Sequence, residues 1–360
     1  MTACPLISVV VPVYAVRPYL TACLDSVLAA ADEVPGGVEV VAVDDASPDG
    51  SGALLTERAR ADRRLSVIRL DRTAGPGNAR NVGLASAAGE YVWFVDGDDL
   101  IPDGALPAVA AKLAADSPDM LLIDYAELHQ DGTTRPSHGI ALLGRAPAGT
   151  FSIAEAPYLV NLTMTAWSRL LRRDFLRGLG EPFRPGIHED IPVTCAALFA
   201  GRLSALARAC YCYRRFREGS AMMSSAGQDA VFDAYREVLA MLGRLAAAGD
   251  PVATPAVRSA VFERAIWHYA AVFQTAGLVP RRDRRAFFGR MHEDFVRYEP
   301  PGYVLPPGPR GAKLALIRRG AYRTYELLEP LNRSRVALRQ RTHSGDLRQS
   351  GVQDDNRSVT

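Results

Sequence analysis

The sequence predicts an α/β fold in which a mostly parallel sheet is flanked by helices and followed by a helical C-terminal region. Five apolar runs within residues 1–125 alternate with segments whose apolar residues recur at helical spacing. The runs are apolar on both faces and the connections are short, as in parallel strands covered on both sides. Helical spacing then dominates from Gln228 to about Tyr298.

The predicted strands and helices of the first part alternate one by one. The strands are LISVVVPV, VEVVAVDD, LSVIRL, YVWFVD and DMLLID. The helices are PYLTACLDSVLAAAD, GALLTERARAD, NARNVGLASA and GALPAVAAKLAA. A sheet of this kind binds ligands at the carboxyl ends of its strands, so polar side chains at those ends are the first candidates for a site.

The middle of the chain is less regular. Residues 126–165 show no clear period, and Ala166 to Gly180 return to an amphipathic pattern. The stretch GIHEDIPVTCAALFAG predicts a loop that enters a helix, with Glu189 and Asp190 in its first turn. The stretch LSALARACYCYRRF predicts either a strand pair or one bent strand.

Four segments are predicted along the chain. They are a sheet domain at residues 1–225, a helical region at residues 226–300, a Pro/Gly linker with a basic amphipathic segment at residues 301–341, and a disordered tail at residues 342–360.

The composition excludes several classes of protein. With 48% hydrophobic residues, the chain of 360 residues can bury a sizeable core. Its 42 Lys and Arg nearly balance 40 Asp and Glu, so the overall charge gives no argument for a nucleic-acid partner. Five cysteines without a C-x-x-C pair argue against a disulfide framework or a zinc ribbon, and a reducing compartment fits best. We expect no transmembrane helix and a cytoplasmic protein.

The stretch EYVWFVDGDDLIPDG ends an apolar run in an acidic cluster. Asp96 and Asp98 lie two residues apart where the chain leaves a predicted strand, and close carboxylates stay ionised only if a cation compensates them. A divalent metal such as Mg²⁺ or Mn²⁺ is the simplest account. Because the protein offers few ligands, water and a phosphate-bearing substrate would complete the coordination, which points to a nucleoside diphosphate.

The cluster has three other possible interpretations. A calcium loop fails because Leu100 occupies its fifth position and no Glu occupies its twelfth. A GDD polymerase site lacks a convincing second acidic motif. A solvated turn, with Asp99 capping the next helix, stays open as the plain alternative.

Four ordered motifs carry a family resemblance: SVVVPVYAVRPYLTACLDSVL, VEVVAVDDASPDGS, GPGNARNVGLASAAGEYVWFVDGDD and HEDIP. Together they resemble the nucleotide-sugar-dependent, inverting family 2 glycosyltransferases of the Rossmann-like GT-A fold, especially bacterial members that build cell-envelope polysaccharide or teichoic-acid-type polymers. The resemblance covers roughly residues 6–220 and implies that residues 1–225 form the catalytic domain.

The resemblance implies a nucleotide site. It assigns to the nucleotide Pro12, Val13, Tyr14 and Asp45 in the base pocket, Asn78 and Arg80 at the start of a helix, and Asp96 toward the ribose. A carboxylate suits uracil because it accepts a hydrogen bond from the imide N–H and disfavours analogues that lack this donor. The expected donor is therefore a UDP-sugar.

The resemblance also implies a metal site and a base. Asp96 and Asp98 match the D-x-D motif, whose Mn²⁺ or Mg²⁺ neutralises charge on the departing diphosphate. Asp190 matches the general base of an E-D pair with Glu189, and a single base inverts the anomeric centre. Stabilisation of a helix N-terminus is the alternative role for Asp190.

Two further sets of residues have open roles. In the segment RRFREGSAMMSS, which resembles a segment of bacterial members, Arg214, Arg217 and Ser220 either hold the diphosphate or an acceptor phosphate, or lie in a solvated basic loop. Trp167 either stacks on the acceptor or packs in the core.

The segment 310–341 is basic, with apolar residues at roughly helical spacing: Leu314, Ile317, Tyr325, Leu328 and Leu331. Such a helix suits an anionic membrane surface, here the inner face of the cell membrane. Docking on the catalytic domain or on a partner protein is the competing account. Self-association into a homo-oligomer is also left open.

The resemblance and the residue chemistry together predict transfer of a sugar from a nucleotide-sugar to a hydroxyl of a cell-envelope carbohydrate, polymer or lipid-linked acceptor. Two other functional classes are also compatible with parts of the sequence. One is a catalytically silent nucleotide-binding module. The other is a sugar-1-phosphate nucleotidylyltransferase, which needs a Gly-rich phosphate loop after the first strand that PVYAVRPYL does not supply.

Overall fold

The computed structural model describes residues 4–180, 182–215 and 225–328. Its strands are β1 (Ile7–Val13), β2 (Val38–Asp44), β3 (Leu65–Arg69), β4 (Tyr91–Phe94), β5 (Met120–Leu128), β6 (Thr134–Pro136), β7 (Arg169–Arg172) and β8 (Leu203–Arg214). The helices of the sheet region are α1 (Arg17–Leu28), α2 (Ser51–Ala61), α3 (Pro76–Ser86), α4 (Ala105–Asp116), α5 (Gly139–Leu143), α6 (Arg173–Gly178) and α7 (Asp190–Ala200). Those that follow are α8 (Ala230–Ala247), α9 (Pro255–Gln274), α10 (Arg284–Tyr298) and α11 (Gly308–Arg318).

The eight strands form one sheet in the order β3-β2-β1-β4-β7-β5-β6, with β8 paired to β5. β3, β2, β1 and β4 are parallel neighbours, β7 runs antiparallel to both β4 and β5, and β8 is parallel to β5. The predicted mostly parallel sheet flanked by helices is confirmed. The order reverses between β1 and β4, and this reversal leaves a crevice at the carboxyl ends of the strands.

Pro12 shows how the sequence opens this crevice. β1 pairs with β2 along its whole length but with β4 only from Ile7 to Val10. Pro12 therefore lies beyond the end of β4, where the N–H that proline lacks is not needed for the sheet. The remainder of β1 is Val-rich and buried, as expected of a parallel strand covered on both faces.

Residues 126–165 contain elements that the sequence pattern did not predict. β5 continues to Leu128 and forms a hairpin with β6, followed by α5. Asp131 and Gly132 make the turn, with Gly132 at a φ of 79° and Asp131 accepting a hydrogen bond from the Thr133 N–H. An Asp-Gly pair predicts a hairpin when alternating apolar residues flank it, but here the flanking residues are mostly polar.

Two other segments resolve into specific elements. The amphipathic stretch from Ala166 to Gly180 contains the short strand β7 and the helix α6. The stretch from Leu203 to Arg214 is one strand whose register with β5 shifts between Leu122 and Tyr125, which corresponds to the bent-strand alternative. The helices predicted after Gln228, with breaks at both expected places, are confirmed as α8, α9 and α10.

The chain divides into two compact units, residues 1–269 and residues 270–360. The first unit holds the sheet together with α8 and most of α9, so the predicted boundary at residue 225 stays a prediction. In the second unit, aromatic rings of Phe273, Phe288 and Tyr325 pack against one another. The predicted disordered tail at residues 342–360 lies outside the described residues.

The described part of the segment 310–341 packs on its own unit. Leu314, Ile317 and Tyr325 are buried, whereas Leu328 is exposed. Leu331 lies outside the described residues. Three of the apolar side chains that a membrane contact would use are thus already covered by protein. Over the described ranges, no helix combines the length and the apolar character needed to cross a membrane.

Candidate active site

Arg80 on α3 lies at the centre of the crevice. Its side chain is 4% exposed, and its Nη2 donates to Asp96 Oδ1 at 2.7 Å while its Nη1 donates to Glu189 Oε1. Burial alone lowers the pKa of Arg80, but Asp96, Glu189 and Asp190 raise it above its ordinary value. One guanidinium therefore bonds to a carboxylate after β4 and to another at the start of α7.

Asp190, the predicted base, is the first residue of α7. Its Oδ2 accepts a hydrogen bond from the Ala166 backbone N–H at 3.1 Å. Burial raises the pKa of Asp190, and the charge of Asp96 adds to this, whereas Arg80 and the Ala166 N–H oppose it. A carboxyl group with a raised pKa has a raised proton affinity, which suits it to accept a proton from a hydroxyl.

Glu189 is 8% exposed and lies between Arg80 and Asp190. Burial raises the pKa of Glu189 to about 7, repulsion by Asp190 contributes, and Arg80 opposes the shift. The two neighbouring carboxyl groups therefore titrate as a pair. His188, just before them, is buried and adopts a φ of 61°, a left-handed conformation that is strained for a residue other than glycine.

Gly77 allows α3 to approach this pair. A Cβ at Gly77 would overlap the Arg184 carbonyl oxygen and would come within 3.1 Å of Glu189 Cγ. The side-chain amide of Asn81, one helical turn further on, donates to the Phe183 carbonyl at 2.8 Å, and its Oδ1 accepts from the Phe183 N–H at 3.0 Å. The α3 helix and the loop before α7 are thus fixed in direct contact.

Strand β8 anchors the acidic loop that follows β4. Asp99 is 1% exposed and accepts hydrogen bonds from the Tyr211 hydroxyl and the Arg214 N–H, both at 2.7 Å. The Arg214 Nε donates to the Asp98 carbonyl at 2.8 Å. The alternative in which Asp99 caps the next helix is wrong, because α4 begins at Ala105 and Asp99 is bonded to β8 instead.

Asp96 and Asp98 are half-buried at the open side of this loop. Burial raises the pKa of the Cys23 thiol behind them, and the charges of Asp99, Asp98 and Asp96 add to the shift, so the loop is strongly negative. Within the described ranges, no cluster of three or more His, Cys, Asp or Glu residues is arranged to hold a metal. Two carboxylates of the hard type preferred by Mg²⁺ and Mn²⁺ fit a cation whose other ligands come from water and phosphate.

Asp45 fastens the loop that leads into α3. It is 2% exposed and accepts hydrogen bonds from the Thr73 hydroxyl and from the backbone N–H groups of Ala74 and Gly75, at 2.7 to 2.9 Å. The Gly75 φ of 86° lets the loop turn toward it. The role of Asp45 in base recognition stays a prediction. Both of its carboxylate oxygens already accept hydrogen bonds from the loop, so fewer lone pairs are left to accept one from a base.

The other residues assigned to the nucleotide lie around the same crevice. Val13 is buried at the end of β1, Tyr14 is 47% exposed immediately after it, and Pro12 and Asn78 are half-buried. Their individual roles stay predictions. Tyr14 is the one with a large exposed apolar surface that could contact a ligand.

Of the residues with open roles, Arg214 and Trp167 have defined surroundings. The Arg214 guanidinium lies over the Tyr19 ring at 4.9 Å from its centroid. Trp167 is 6% exposed and stacks on Tyr211, with ring centroids 4.6 Å apart, in an arrangement that supports core packing. Arg217 and Ser220 lie outside the described residues.

Tyr211 is the contributor that sequence reasoning missed. Its hydroxyl donates to Asp99 and accepts from the Asp96 backbone N–H at 3.1 Å, so one side chain holds both ends of the acidic loop. The signal available was the alternation in CYCYR, which places Tyr211 and Tyr213 on the same face of one strand. That pattern shows which side chains share one face of the strand, but it does not show that this face contacts the acidic loop.

Comparisons with known proteins identify relatives of this chain and of its fold. The model of the family described as Glycosyl transferase family 2 matches residues 8–180, just under half of the chain. TarS of Staphylococcus aureus, a poly(ribitol-phosphate) β-N-acetylglucosaminyltransferase, is 34% identical over 220 residues, which cover 61% of this chain and 37% of TarS. EpsJ of Bacillus subtilis, an uncharacterized glycosyltransferase, is 28% identical over 58% of this chain and 61% of EpsJ. The chain therefore spans less than two thirds of the length of these curated relatives.

The fold comparison extends further along the chain. The crystal structure of S. aureus TarS residues 1–349 in complex with UDP-GlcNAc covers 91% of both chains with a TM-score of 0.69 at 24% identity. This likeness establishes the GT-A fold with a helical C-terminal region. The matched residues 8–180 contain Asp45, Arg80, Asp96 and Asp98. Residues 8–180 of this chain are thus similar to glycosyl transferase family 2.

Proposed function

We propose that this protein is an inverting, metal-dependent glycosyltransferase that moves a sugar from a UDP-sugar to a hydroxyl of a cell-envelope carbohydrate, polymer or lipid-linked acceptor. The observation that carries the proposal is the buried Arg80, bonded to Asp96 at the D-x-D loop and to Glu189 beside Asp190. It joins a loop suited to a diphosphate to a carboxylate suited to deprotonate a hydroxyl.

In this proposal each residue has one task. Asp190 accepts the proton of the attacking acceptor hydroxyl, and the Ala166 N–H orients its carboxylate. Arg80 reduces the repulsion among Asp96, Glu189 and Asp190 before substrates arrive. Asp98 and Asp96 would hold Mn²⁺ or Mg²⁺, which supplies positive charge to the leaving nucleoside diphosphate.

The choice of donor and acceptor rests on the relatives. TarS is named for N-acetylglucosaminyl transfer to poly(ribitol-phosphate), and its structure contains UDP-GlcNAc. A UDP-sugar and a teichoic-acid-like polymer are therefore the first candidates for this chain. We propose that the protein acts in the cytoplasm, at the inner face of the cell membrane.

For the tail, the geometry supports docking over membrane contact. Leu314, Ile317 and Tyr325 are buried, and the His292 Nδ1 lies 3.0 Å from the Ile317 carbonyl oxygen. The apolar side of the described part of this segment is thus covered by the second unit itself. The exposed basic side chains of this segment can attract anionic surfaces only weakly, because salt screens the attraction between exposed charges.

A donor screen tests the proposal. Nucleotide release from UDP-, GDP- and CDP-sugars is followed with Mg²⁺, with Mn²⁺ and with EDTA. We expect slow release from a UDP-sugar, dependent on the metal, because water can replace the acceptor. Binding without turnover for every donor and acceptor would instead identify a silent nucleotide-binding module.

A further inference from the structure

Three consecutive residues at the start of α7 contact three different parts of the first unit. The His188 ring packs edge to face on the ring of His268 in α9, with centroids 5.1 Å apart. Glu189 bonds to Arg80 in α3, and the Asp190 carboxylate accepts a hydrogen bond from the segment before β7. The direction in which the backbone leaves His188 therefore decides where both carboxyl groups lie.

The His188 backbone leaves in an unfavourable conformation. Its φ of 61° lies in the left-handed region, where the Cβ of an L-residue is crowded by its own backbone. A right-handed φ would rotate the chain after His188 by roughly 110–150° and turn Glu189 and Asp190 away from Arg80. The His188 carbonyl also accepts the Ile191 N–H at 3.4 Å, so this residue starts the first turn of α7. Strain of this kind persists only where the surrounding structure holds it, and it is often found at functional sites.

The helices that follow the sheet hold the His188 ring. The residue is 5% exposed, and the side chain of Gln228, just before α8, hydrogen-bonds to it. The Tyr235 hydroxyl of α8 lies 3.1 Å from His268 Nδ1, which fixes the ring on which His188 packs. Burial lowers the pKa of both imidazoles, so the two rings are neutral at neutral pH and pack without charge repulsion. Contacts from α8 and α9 thus oppose relaxation of the His188 backbone.

We propose that His188 is a positioning residue for the base, and that its left-handed conformation, held by His268, directs Glu189 and Asp190 into the crevice. The inference rests on the proposed function, because Asp190 is the base of that reaction. His188 itself takes no part in proton transfer. The helices α8 and α9 thereby shape the site, although they lie outside the matched residues 8–180.

Two substitutions that remove the same ring but differ in backbone preference test the inference. Alanine disfavours a positive φ, whereas glycine adopts it freely. We expect His188→Ala to slow the release of UDP from UDP-GlcNAc, with Mn²⁺ and water as acceptor, by about ten- to a hundredfold, because a base displaced by about 1 Å loses that much. His188→Gly should release UDP several-fold faster than His188→Ala. UDP affinity, measured by calorimetry, should stay essentially unchanged in both.

Rates are expressed per UDP-binding site, so a smaller folded fraction does not count as slower chemistry. Ser117, exposed at the end of α4 with a φ of 46°, provides the matched control. Ser117→Gly should be more stable than Ser117→Ala, and both should release UDP at the wild-type rate. If the His188 variants fail to fold, His268→Ala removes the packing partner and His268→Phe keeps a ring. Only His268→Ala should then slow the release of UDP.

Equal rates in His188→Ala and His188→Gly, or a slower rate in His188→Gly, would overturn the inference, because a role in packing alone predicts that order. A wild-type rate in His188→Ala, or a loss of UDP affinity as large as the loss of rate, would also overturn it. If the wild-type chain releases UDP but the variants fail these expectations, only the positioning role is lost. If the wild-type chain binds UDP yet releases none from any UDP-sugar of the donor screen, the proposed function fails instead.

Discussion

At the scale of single residues, the site is organised around the buried Arg80 and the carboxylates that it contacts. Arg80 is separated along the chain by 16 residues from Asp96 and by 109 residues from Glu189, yet it bonds to both. The motifs identified these residues separately, but nothing in their spacing revealed that one buried cation holds them together. The pairing depends on how α3 meets α7, which is a property of tertiary packing.

Asp98 should be required for metal-dependent nucleotide binding. We expect Asp98→Ala to lose most of the Mn²⁺-dependent affinity for UDP, because the remaining Asp96 is already bonded to Arg80. Isothermal titration calorimetry with Mn²⁺ and with EDTA measures the difference. Asp103→Ala, an exposed carboxylate further along the same loop, is the matched control. Equal UDP affinity of the wild-type chain in Mn²⁺ and in EDTA would refute the metal assignment.

Asp190 should be needed for chemistry and not for donor binding. Asp190→Asn keeps the shape of the side chain but cannot take a proton, so transfer should fall about 10²–10⁴-fold or more while UDP affinity stays nearly unchanged. Asp174→Asn alters a carboxylate in the first turn of another helix, α6, and controls for simple stabilisation of a helix N-terminus. Retained turnover in Asp190→Asn would remove it as the base.

Glu189 should make stability depend on pH. Its pKa is raised to about 7 in the folded protein, mainly by burial, so folding favours the protonated form. Its stabilising contribution is fully present below the ordinary pKa of about 4.3 and is lost as the pH rises through about 7. Glu189→Gln removes this dependence. The stability of the variant relative to the wild type should therefore rise as the pH increases from about 4 to about 7, and should level off at higher pH.

Urea unfolding at several pH values measures this difference. Asp103→Asn, which alters an exposed carboxylate, should show a much smaller change over the same range. A difference between wild type and Glu189→Gln that is independent of pH would contradict the raised pKa.

At the scale of elements, the sequence predicted the strands that are buried on both faces of the sheet, because such strands are apolar along their whole length. β1, β2, β3 and β4 were recognisable because parallel strands buried on both faces need continuous apolar runs. β6 and β7 were missed because both are short and their pairing with β5 depends on distant parts of the chain. For the same reason, the sequence did not predict that β8 anchors the acidic loop, because this contact joins residues more than 110 positions apart in the chain.

The close contact of α3 with the loop before α7 should be sensitive to one added methyl group. Gly77→Ala places a Cβ against the Arg184 carbonyl, a backbone atom that cannot rotate away, so we expect a loss of about 1–3 kcal/mol in the free energy of unfolding. Gly243→Ala, at a helical position in α8 where a Cβ meets nothing within 4 Å, should be neutral or slightly stabilising. Chemical denaturation compares the two, and equal effects would show that the contact is not tight.

At the scale of the whole molecule, the C-terminal segment should contribute more to folding than to membrane attachment. Tyr325 packs on Phe273 and Phe288, so Tyr325→Ala should lower the melting temperature by several degrees. The double change Arg319→Glu and Arg323→Glu alters exposed charges and should leave that temperature nearly unchanged.

Sedimentation with anionic vesicles provides the second readout. We expect little association at physiological ionic strength, and the same amount for the wild type and for the charge variant. Strong vesicle binding by the wild type that the double charge change abolishes would restore the membrane account for this segment.

The ion pair between Arg80 and Glu189 also bears on where the protein can be cut. The family model ends at residue 180, nine residues before Glu189, so a fragment trimmed to that model would bury Arg80 with one of its two bonded carboxylates missing. Removing one partner of a buried pair typically costs about 3–5 kcal/mol, a large share of the stability of a domain. We therefore expect that a fragment for crystallisation or domain exchange needs to extend beyond α7 to keep this ion pair.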